Sequence, residues 1–287
     1  MNFGLFFANA GPFAQTETFE ALVRKSDEVG IESLWAIEHV VIPVDYQSEY
    51  PYAKGGRIPG PEDNPMSDPL IALGYAAAIS SRLRLATGIL ILPQRHPFYV
   101  AKEIATIDLL SNGRAILGVG IGWLEEEFDA LGIPFRERAA RTDESIRAIR
   151  SLWKPGADAF DGKFYRWKPV HSSPRPVQEP GPPIVIGGHV DAAARRAARF
   201  GDGFFPAKGG LDRLPKLFDV IREECAEIGR DPGEIELTAS ATATDLDTIR
   251  RYQDIGVSRL VISPPGFDPD GIARGLEAFG NDVLAKL

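Results

Sequence analysis

Three of the four histidines in this chain come shortly after apolar runs, where the chain turns polar. His39 follows Glu38, His96 follows Arg95, and His189 follows a pair of glycines. Imidazole titrates near neutral pH, which suits it to moving protons in catalysis. His39 comes shortly after an apolar run of the kind that forms a buried strand, so we take it as the candidate acid or base. The alternative is a histidine that only bonds loop backbone.

Two further positions are candidates for ligand contact. Gly187 and Gly188 leave backbone N–H groups open just before a predicted helix, and such helix starts attract anions. Together with His189 they predict a phosphate site. His96 precedes Pro97 at the start of another predicted helix, so capping that helix and contacting a ligand are both open.

Three consecutive acids, Glu125, Glu126 and Glu127, open a short predicted helix after Trp123. Negative side chains in a first turn offset the positive end of the helix dipole. We therefore expect them to have a structural role.

The elements that would position these residues alternate regularly. Eight apolar strand candidates span residues 2–7, 33–37, 83–90, 115–119, 183–186, 203–206, 235–240 and 259–262. Helix candidates span 16–29, 68–79, 96–110, 138–152, 191–198, 213–228, 245–254 and 270–279. Strand followed by helix, eight times, is the pattern of an α/β protein of the (β/α)8 TIM-barrel type, here one domain over residues 1–287.

Two stretches interrupt this alternation. Residues 38–66 are long and rich in proline and follow a strand, so we expect them to form a lid over the barrel mouth. Residues 154–182 are expected to be an insertion after the fourth helix. Within it, residues 160–167 predict a β-hairpin with an Asp-Gly turn.

Composition excludes several classes of protein. A net charge of −8 argues against a nucleic-acid binder, which needs a basic face. The single cysteine, Cys225, allows neither an internal disulfide nor an all-thiolate zinc site. The first strand lacks the His-x-His pair of metal-dependent barrel hydrolases, so we expect no metal. A Schiff-base aldolase needs a desolvated lysine, and Lys208, the nearest candidate, precedes two glycines. With no apolar run of membrane-spanning length and no leader-like start, we expect a cytoplasmic protein.

Several segments resemble the luciferase-like monooxygenase superfamily, and more specifically its F420-dependent oxidoreductase branch. The resemblance covers nearly the whole chain. Its most specific parts are residues 21–39, 92–97, 101–114, 118–128 and 182–188. Flavin and deazaflavin members share this scaffold, so the cofactor is less closely specified than the family.

The resemblance implies a barrel that binds coenzyme F420 at its C-terminal mouth, with FMN as the alternative cofactor. Glu38 and His39 would lie beside the cofactor ring as the catalytic pair. Thr87, Gly88 and Ile89 would back the ring, with a non-proline cis peptide between Gly88 and Ile89. The remaining cofactor contacts would come from the glycine run and the phosphate corner, namely Gly118, Gly120, Ile121, Gly122, Gly187, Gly188, His189 and Lys208.

One residue departs from the sugar-phosphate dehydrogenases of this branch. They carry a glutamate where this chain has Trp123, so their mechanism is not expected here. Trp123 predicts an apolar, aromatic or unsaturated substrate, in a pocket shared with His96. The alternatives are an FMN-dependent monooxygenase that uses oxygen and a non-catalytic cofactor-binding protein. The outer helices, with Trp153 and Phe160 nearby, suggest a homodimer.

Overall fold

The computed structural model describes residues 1–242 and 244–287. Its main sheet is a closed parallel barrel, which confirms the predicted (β/α)8 fold. The strands follow one another around the ring as β1 (Asn2–Leu5), β2 (Ser33–Ala36), β3 (Arg84–Thr87) with its continuation β4 (Leu90–Ile91), β5 (Ala115–Gly120), β8 (Ile184–Gly187), β9 (Gly203–Phe205), β10 (Glu236–Ser240) and β11 (Arg259–Ile262). β11 pairs with β1 and so closes the ring.

The third barrel strand differs from its prediction. The sequence predicted one strand over residues 83–90, whereas the structure divides it into β3 and β4. The two parts are separated by a cis peptide between Gly88 and Ile89, at the position that the resemblance implied.

Two apolar clusters explain why these strands are almost entirely buried. The larger one fills the layer between the sheet and the helices. The smaller one lies inside the barrel and takes one residue from each of six strands: Trp35, Ala86, Ile116, Val185, Phe205 and Val261. Parallel strands covered on both faces need such continuous apolar runs.

The helices surround this barrel. They are α1 (Thr16–Val29), α2 (Pro69–Ile79), α3 (Pro97–Leu110), α4 (Glu125–Ala130), α5 (Arg138–Trp153), α6 (Asp191–Phe200), α7 (Gly210–Ile228), α8 (Leu246–Asp254) and α9 (Pro269–Asp282). Local chemistry sets their ends. The Asp68 carboxylate caps α2 by accepting from the N–H groups of Leu70 and Ile71, and Gly30 ends α1 with a φ of 90°. No helix in the described residues is long and apolar enough to cross a membrane.

The predicted hairpin in the insertion is also present. It consists of β6 (Asp158–Asp161) and β7 (Arg166–Val170), which pair antiparallel. The buried Glu144 carboxylate on α5 accepts hydrogen bonds from the backbone N–H groups of Lys163, Phe164 and Tyr165. The hairpin is therefore anchored to α5 through its turn.

Trp153 does not lie on a free surface. Its side chain is buried, and its indole N–H donates to the Ala101 carbonyl at 3.0 Å. Trp153 therefore packs in the contact between α3 and α5. The homodimer itself stays a prediction.

An ion cluster around the buried Arg259 side chain, with two partly exposed carboxylates, closes the N-terminal end of the barrel. The Arg259 guanidinium, on the first residue of β11, bonds both oxygens of Glu32 at 2.7 and 2.8 Å and also pairs with Glu236. Burial alone would raise the pKa of Glu32, but the hydrogen bonds and charge of Arg259 outweigh it and lower that pKa. Every charge in this cluster has a partner.

Candidate active site

A histidine–glutamate pair lies at the C-terminal mouth of the barrel. His39 follows β2, and its Nδ1 lies 2.8 Å from Oε2 of Glu127 on α4. The other oxygen of Glu127 accepts from the backbone N–H groups of Val40 at 2.6 Å and Val41 at 3.3 Å. The Glu127 side chain is fully buried. This carboxylate therefore holds both the ring and the backbone of the segment that carries His39.

Trp123 covers the opposite edge of the His39 ring. Its indole N–H donates to His39 Nε2 at 3.3 Å, and the two rings meet edge to face. Tyr46 and Tyr50, from the stretch 38–66, pack against the same indole, with ring centroids 5.7 and 5.1 Å away. Burial, and the neighbouring phenols of Tyr52 and Tyr46, raise the pKa of Tyr50 to about 12, so the Tyr50 phenol is neutral at physiological pH.

Glu38, the other member of the predicted catalytic pair, has both oxygens engaged. One accepts from the Ile91 N–H at 2.5 Å and the other from Arg95 Nε at 2.7 Å. Arg95 also pairs with Asp68, which ties the end of β4 to the start of α2. Burial raises the pKa of Glu38 despite the opposing charge of Arg95. In this geometry Glu38 braces the loops around His39.

The glycine run is packed against protein atoms. A Cβ on Gly118 would lie 1.9 Å from the Thr87 carbonyl oxygen, and one on Gly120 would lie 2.1 Å from Cδ1 of Ile89. The Thr87 hydroxyl donates to the Gly118 carbonyl at 2.6 Å. These glycines are thus required by the close approach of neighbouring barrel strands. Their contact with a cofactor ring stays a prediction.

Two further glycines near this run also have no room for a side chain. A Cβ on Gly187 would lie 2.6 Å from the Ile89 side chain. Gly122, with a φ of 79°, would meet Phe128 and Ile91, while Ile121 beside it is partly exposed. Of the cofactor contacts expected here, Ile89, Ile121, Gly122 and Gly187 are partly exposed, whereas Thr87, Gly88, Gly118 and Gly120 are buried.

Positive charge gathers around His189, at the end of β8. Gly188 has a φ of 121°, which favours glycine, and leads into α6. Burial, together with the charges of Lys208 and Arg213, lowers the pKa of His189. Its Nδ1 is buried without a hydrogen-bond partner, while its backbone carbonyl accepts from Arg213 at 3.0 Å. With its proton on Nδ1, this imidazole beside the charges of Lys208 and Arg213 suits an anionic group.

The stretch 38–66 is attached to the mouth at several points. The Lys208 ammonium donates to the Pro51 carbonyl at 2.5 Å, and Tyr52 packs edge to face on His189. The Glu126 carboxylate accepts from the backbone N–H groups of Gln47 and Ser48. Partial burial would raise the pKa of Glu126, but these hydrogen bonds outweigh it and lower that pKa to about 2. The segment is therefore bonded to residues that follow β5, β8 and β9, and its role as a lid stays a prediction.

His96 does not join this group. Its Nδ1 accepts from the Phe98 N–H at 3.2 Å at the start of α3, so the capping alternative is the one that the structure contains. Its ring packs against Tyr165 of the insertion. A place for His96 in the substrate pocket stays a prediction.

The sequence-based interpretation missed the use of the acidic run. Glu126 and Glu127 bind the chain around residues 39–48, whereas the sequence predicted only an interaction with a helix dipole. Arg213 and the lid tyrosines were missed as well. The one available signal was the excess of three acids on a helix of six residues, more than a first turn needs. Their partners lie about 80 positions away in sequence, so no local pattern could identify them.

Comparison with known proteins gives this geometry a context. The sequence model of the luciferase-like monooxygenase family matches residues 1–254. A protein of Mycobacterium tuberculosis is 31% identical over 275 residues, which cover 93% of this chain and 94% of that protein. The F420-dependent glucose-6-phosphate dehydrogenase of Kineococcus radiotolerans is 31% identical over 237 residues, covering 80% of this chain and 64% of the relative.

Two further relatives differ in cofactor. The FMNH2-dependent dimethylsulfone monooxygenase of Pseudomonas putida is 35% identical over 155 residues, covering 53% of this chain and 42% of the relative. The structure of the coenzyme F420-dependent tetrahydromethanopterin reductase from Methanopyrus kandleri superposes with a TM-score of 0.78 at 20% identity, covering 99% of both chains. That likeness establishes the fold. Relatives of this chain thus include proteins named for F420 and for FMN.

Proposed function

The chain belongs to the luciferase-like monooxygenase family, and on that premise we propose that it transfers a hydride between coenzyme F420 and a small organic substrate. One observation carries the proposal. A proton-transfer group, His39, and a cationic corner around His189 open onto the same barrel mouth. Redox cofactors with phosphate-bearing side arms need both features in one site.

The residues around His189 fit a phosphate. The unpartnered Nδ1 of His189, the Lys208 ammonium and the backbone N–H groups after Gly188 are groups that donate to or attract phosphate oxygens. Both F420 and FMN carry such a phosphate. This corner therefore supports a phosphate-bearing cofactor and does not favour one of the two.

Each residue of the mouth has a part in this proposal. A bound deazaflavin supplies the hydride chemistry. His39 gives or takes the accompanying proton at Nε2. Glu38 and Arg95 hold the loops around His39 in position, and the stretch 38–66 excludes water. Gly118 and Gly120 are buried, so the partly exposed Ile89 beside them would contact the cofactor ring.

The wall of Trp123, Tyr46 and Tyr50 supports an apolar, unsaturated substrate. These rings bring no charge into the pocket, and the carboxylate of sugar-phosphate dehydrogenases is missing at position 123. In the Trp123→Glu variant we expect the range of accepted substrates to narrow or shift. An unchanged range and rate would remove the basis for this substrate class.

A cofactor titration tests the proposal. The purified protein is titrated with F420 and with FMN, each oxidised and reduced, and oxygen consumption is followed during turnover. We expect F420 to bind more tightly, with no oxygen uptake, because a deazaflavin does not readily activate oxygen. Preference for FMN with oxygen uptake would favour the monooxygenase that the Pseudomonas putida relative suggests. Affinity for neither cofactor would overturn the proposal, and binding without turnover on any acceptor would favour a carrier protein.

A further inference from the structure

The His39 ring is contacted at both nitrogens by groups of opposite hydrogen-bonding character. At Nδ1 it meets Oε2 of Glu127, and a carboxylate only accepts. The other oxygen of Glu127 already accepts from the Val40 and Val41 N–H groups, which fixes the plane of the carboxylate. Nδ1 must therefore carry a proton to bond Glu127.

Trp123 imposes the matching condition at the other nitrogen. An indole N–H is only a donor, and it points at His39 Nε2 over 3.3 Å. Nε2 must therefore present a lone pair. If Nε2 carried the proton instead, its N–H would face the indole N–H of Trp123, which is also a donor. The buried Glu127 oxygen would then face an unprotonated Nδ1, and neither atom could donate.

We propose that Glu127 is a positioning residue that fixes neutral His39 in the Nδ1–H form, so that Nε2 faces the site as a proton acceptor. In water a neutral histidine side chain favours the Nε2–H form, so the protein has to impose the other one. A buried carboxylate on the far nitrogen does this in other proton-transferring histidines. When a substrate displaces the long contact with the Trp123 indole, His39 takes a proton from that substrate at Nε2 while Glu127 stabilises the resulting imidazolium. His39 returns that proton in the reverse direction.

Glu127→Gln is the informative substitution because the amide has the shape of the carboxylate but donates a hydrogen bond to His39, where the carboxylate accepts one. The Val40 and Val41 N–H groups require an oxygen, so the amide oxygen of the new side chain stays with them. Its NH2 group then faces His39 Nδ1, which must become an acceptor. The 2.8 Å contact at Nδ1 outweighs the 3.3 Å contact with the Trp123 indole, so the proton moves to Nε2 and the indole N–H loses its acceptor. His39 then presents a donor to the site.

The experiment is nitrogen NMR of the protein with 15N-labelled histidine, at a pH of about 8.5, where an ordinary histidine is neutral. His39 is assigned by the signal lost in His39→Ala. We expect the Nδ1–H form in the unaltered protein and the Nε2–H form in Glu127→Gln. Glu126→Gln is the matched control, because it changes the adjacent carboxylate that holds Gln47 and Ser48 and should leave the His39 form unchanged.

Trp123→Phe separates the two contacts and covers the case in which Glu127→Gln does not fold. If Glu127 is in control, the Nδ1–H form survives loss of the indole donor. Three results would overturn the proposal: an Nε2–H form in the unaltered protein, loss of the Nδ1–H form in Trp123→Phe, or its persistence in Glu127→Gln.

The consequence for catalysis rests on the proposed function, but the tautomer does not. With a substrate in hand, we expect Glu127→Gln to lower kcat about 100-fold, within the usual worth of general acid–base catalysis, while cofactor affinity is retained. A protein that binds neither F420 nor FMN would overturn the function and leave the NMR result standing. An Nε2–H form in the unaltered protein, or an Nδ1–H form in Glu127→Gln, would overturn the role of Glu127 and leave the result of the cofactor titration standing.

Discussion

Both ends of the barrel bury charged or polar side chains, but only at the N-terminal end does every charged group of the cluster have a partner. At the N-terminal end, Arg259 lies between Glu32 and Glu236 and uses its whole guanidinium on them. At the mouth, His189 keeps a buried nitrogen that has no partner among the described residues, and the hydrogen bond that His39 Nε2 accepts from the Trp123 indole is long, at 3.3 Å. Buried polar groups in folded proteins are normally paired. The unpaired nitrogen of His189 and the weakly bonded nitrogen of His39 therefore mark where a ligand would bond, whereas the cluster around Arg259 serves stability.

Arg259→Ala is expected to have the largest effect, and it falls on stability. The substitution leaves Glu236 without its counter-charge and Glu32 with only the more distant Arg84, 4.0 Å away. Because both carboxylates are partly exposed, we expect a loss of about 3 kcal/mol in the free energy of unfolding, the low end of the cost of breaking a buried pair. Urea denaturation measures it. Arg222→Ala, which removes an exposed pair with Asp219, is the control and should change stability by less than about 1 kcal/mol. Equal small losses in both variants would show that the N-terminal cluster is not a stabilising element.

His39→Ala is expected to act mainly on catalysis, with a loss of about 1–3 kcal/mol of stability because the buried Glu127 oxygen loses its partner. Loss of the proton-transferring group should lower turnover about 100-fold or more, with cofactor affinity retained. Steady-state kinetics on a substrate found by screening measures this effect. His171→Ala removes an exposed histidine of the insertion and serves as the control. Unchanged turnover in His39→Ala would end the assignment of His39.

Lys208→Met tests the cationic corner. Removing one charge from a phosphate contact should weaken cofactor binding about tenfold, since a hydrogen bond to a charged group contributes about 1.5 kcal/mol or more. Titration at low and at high salt measures the loss, which should shrink as salt screens the contact. Lys168→Met, on the exposed hairpin strand β7, should leave the affinity unchanged. Equal affinities in all three proteins would place the phosphate elsewhere.

The smallest expected effect is a difference in pH dependence between the two ends. The pKa of Glu32 is lowered, so its contribution to stability is present above its ordinary value and is lost as the pH falls through the folded value. The pKa of Glu38 is raised, so its contribution is present below its ordinary value and is lost as the pH rises through the folded value. Glu32→Gln should therefore be most costly near neutral pH, and Glu38→Gln most costly in acid.

Urea denaturation over a pH range of about 3 to 8 compares these two variants with the unaltered protein. Parallel changes in both would mean that the two carboxyl groups do not differ in the way that their surroundings indicate.

The fold was predictable because it rests on local signals. Apolar runs, helix caps such as Asp68 and the stop at Gly30 lie within a few residues of the elements that they define. The site was predictable only in part. His39 and His189 could be placed at strand ends, but Glu127 reaches His39 across 88 positions, and the packing of Gly120 on Ile89 depends on how two strands approach. Such pairings arise from closure of the barrel, which no single segment encodes.

The most direct test of the account is a crystal structure of the protein with bound F420. The account predicts that the deazaflavin ring lies at the mouth against Gly88 and Ile89, with a phosphate oxygen within hydrogen-bond distance of His189 Nδ1 and of the Lys208 ammonium. A cofactor bound away from the barrel mouth, or one whose phosphate leaves His189 Nδ1 without a partner, would contradict it.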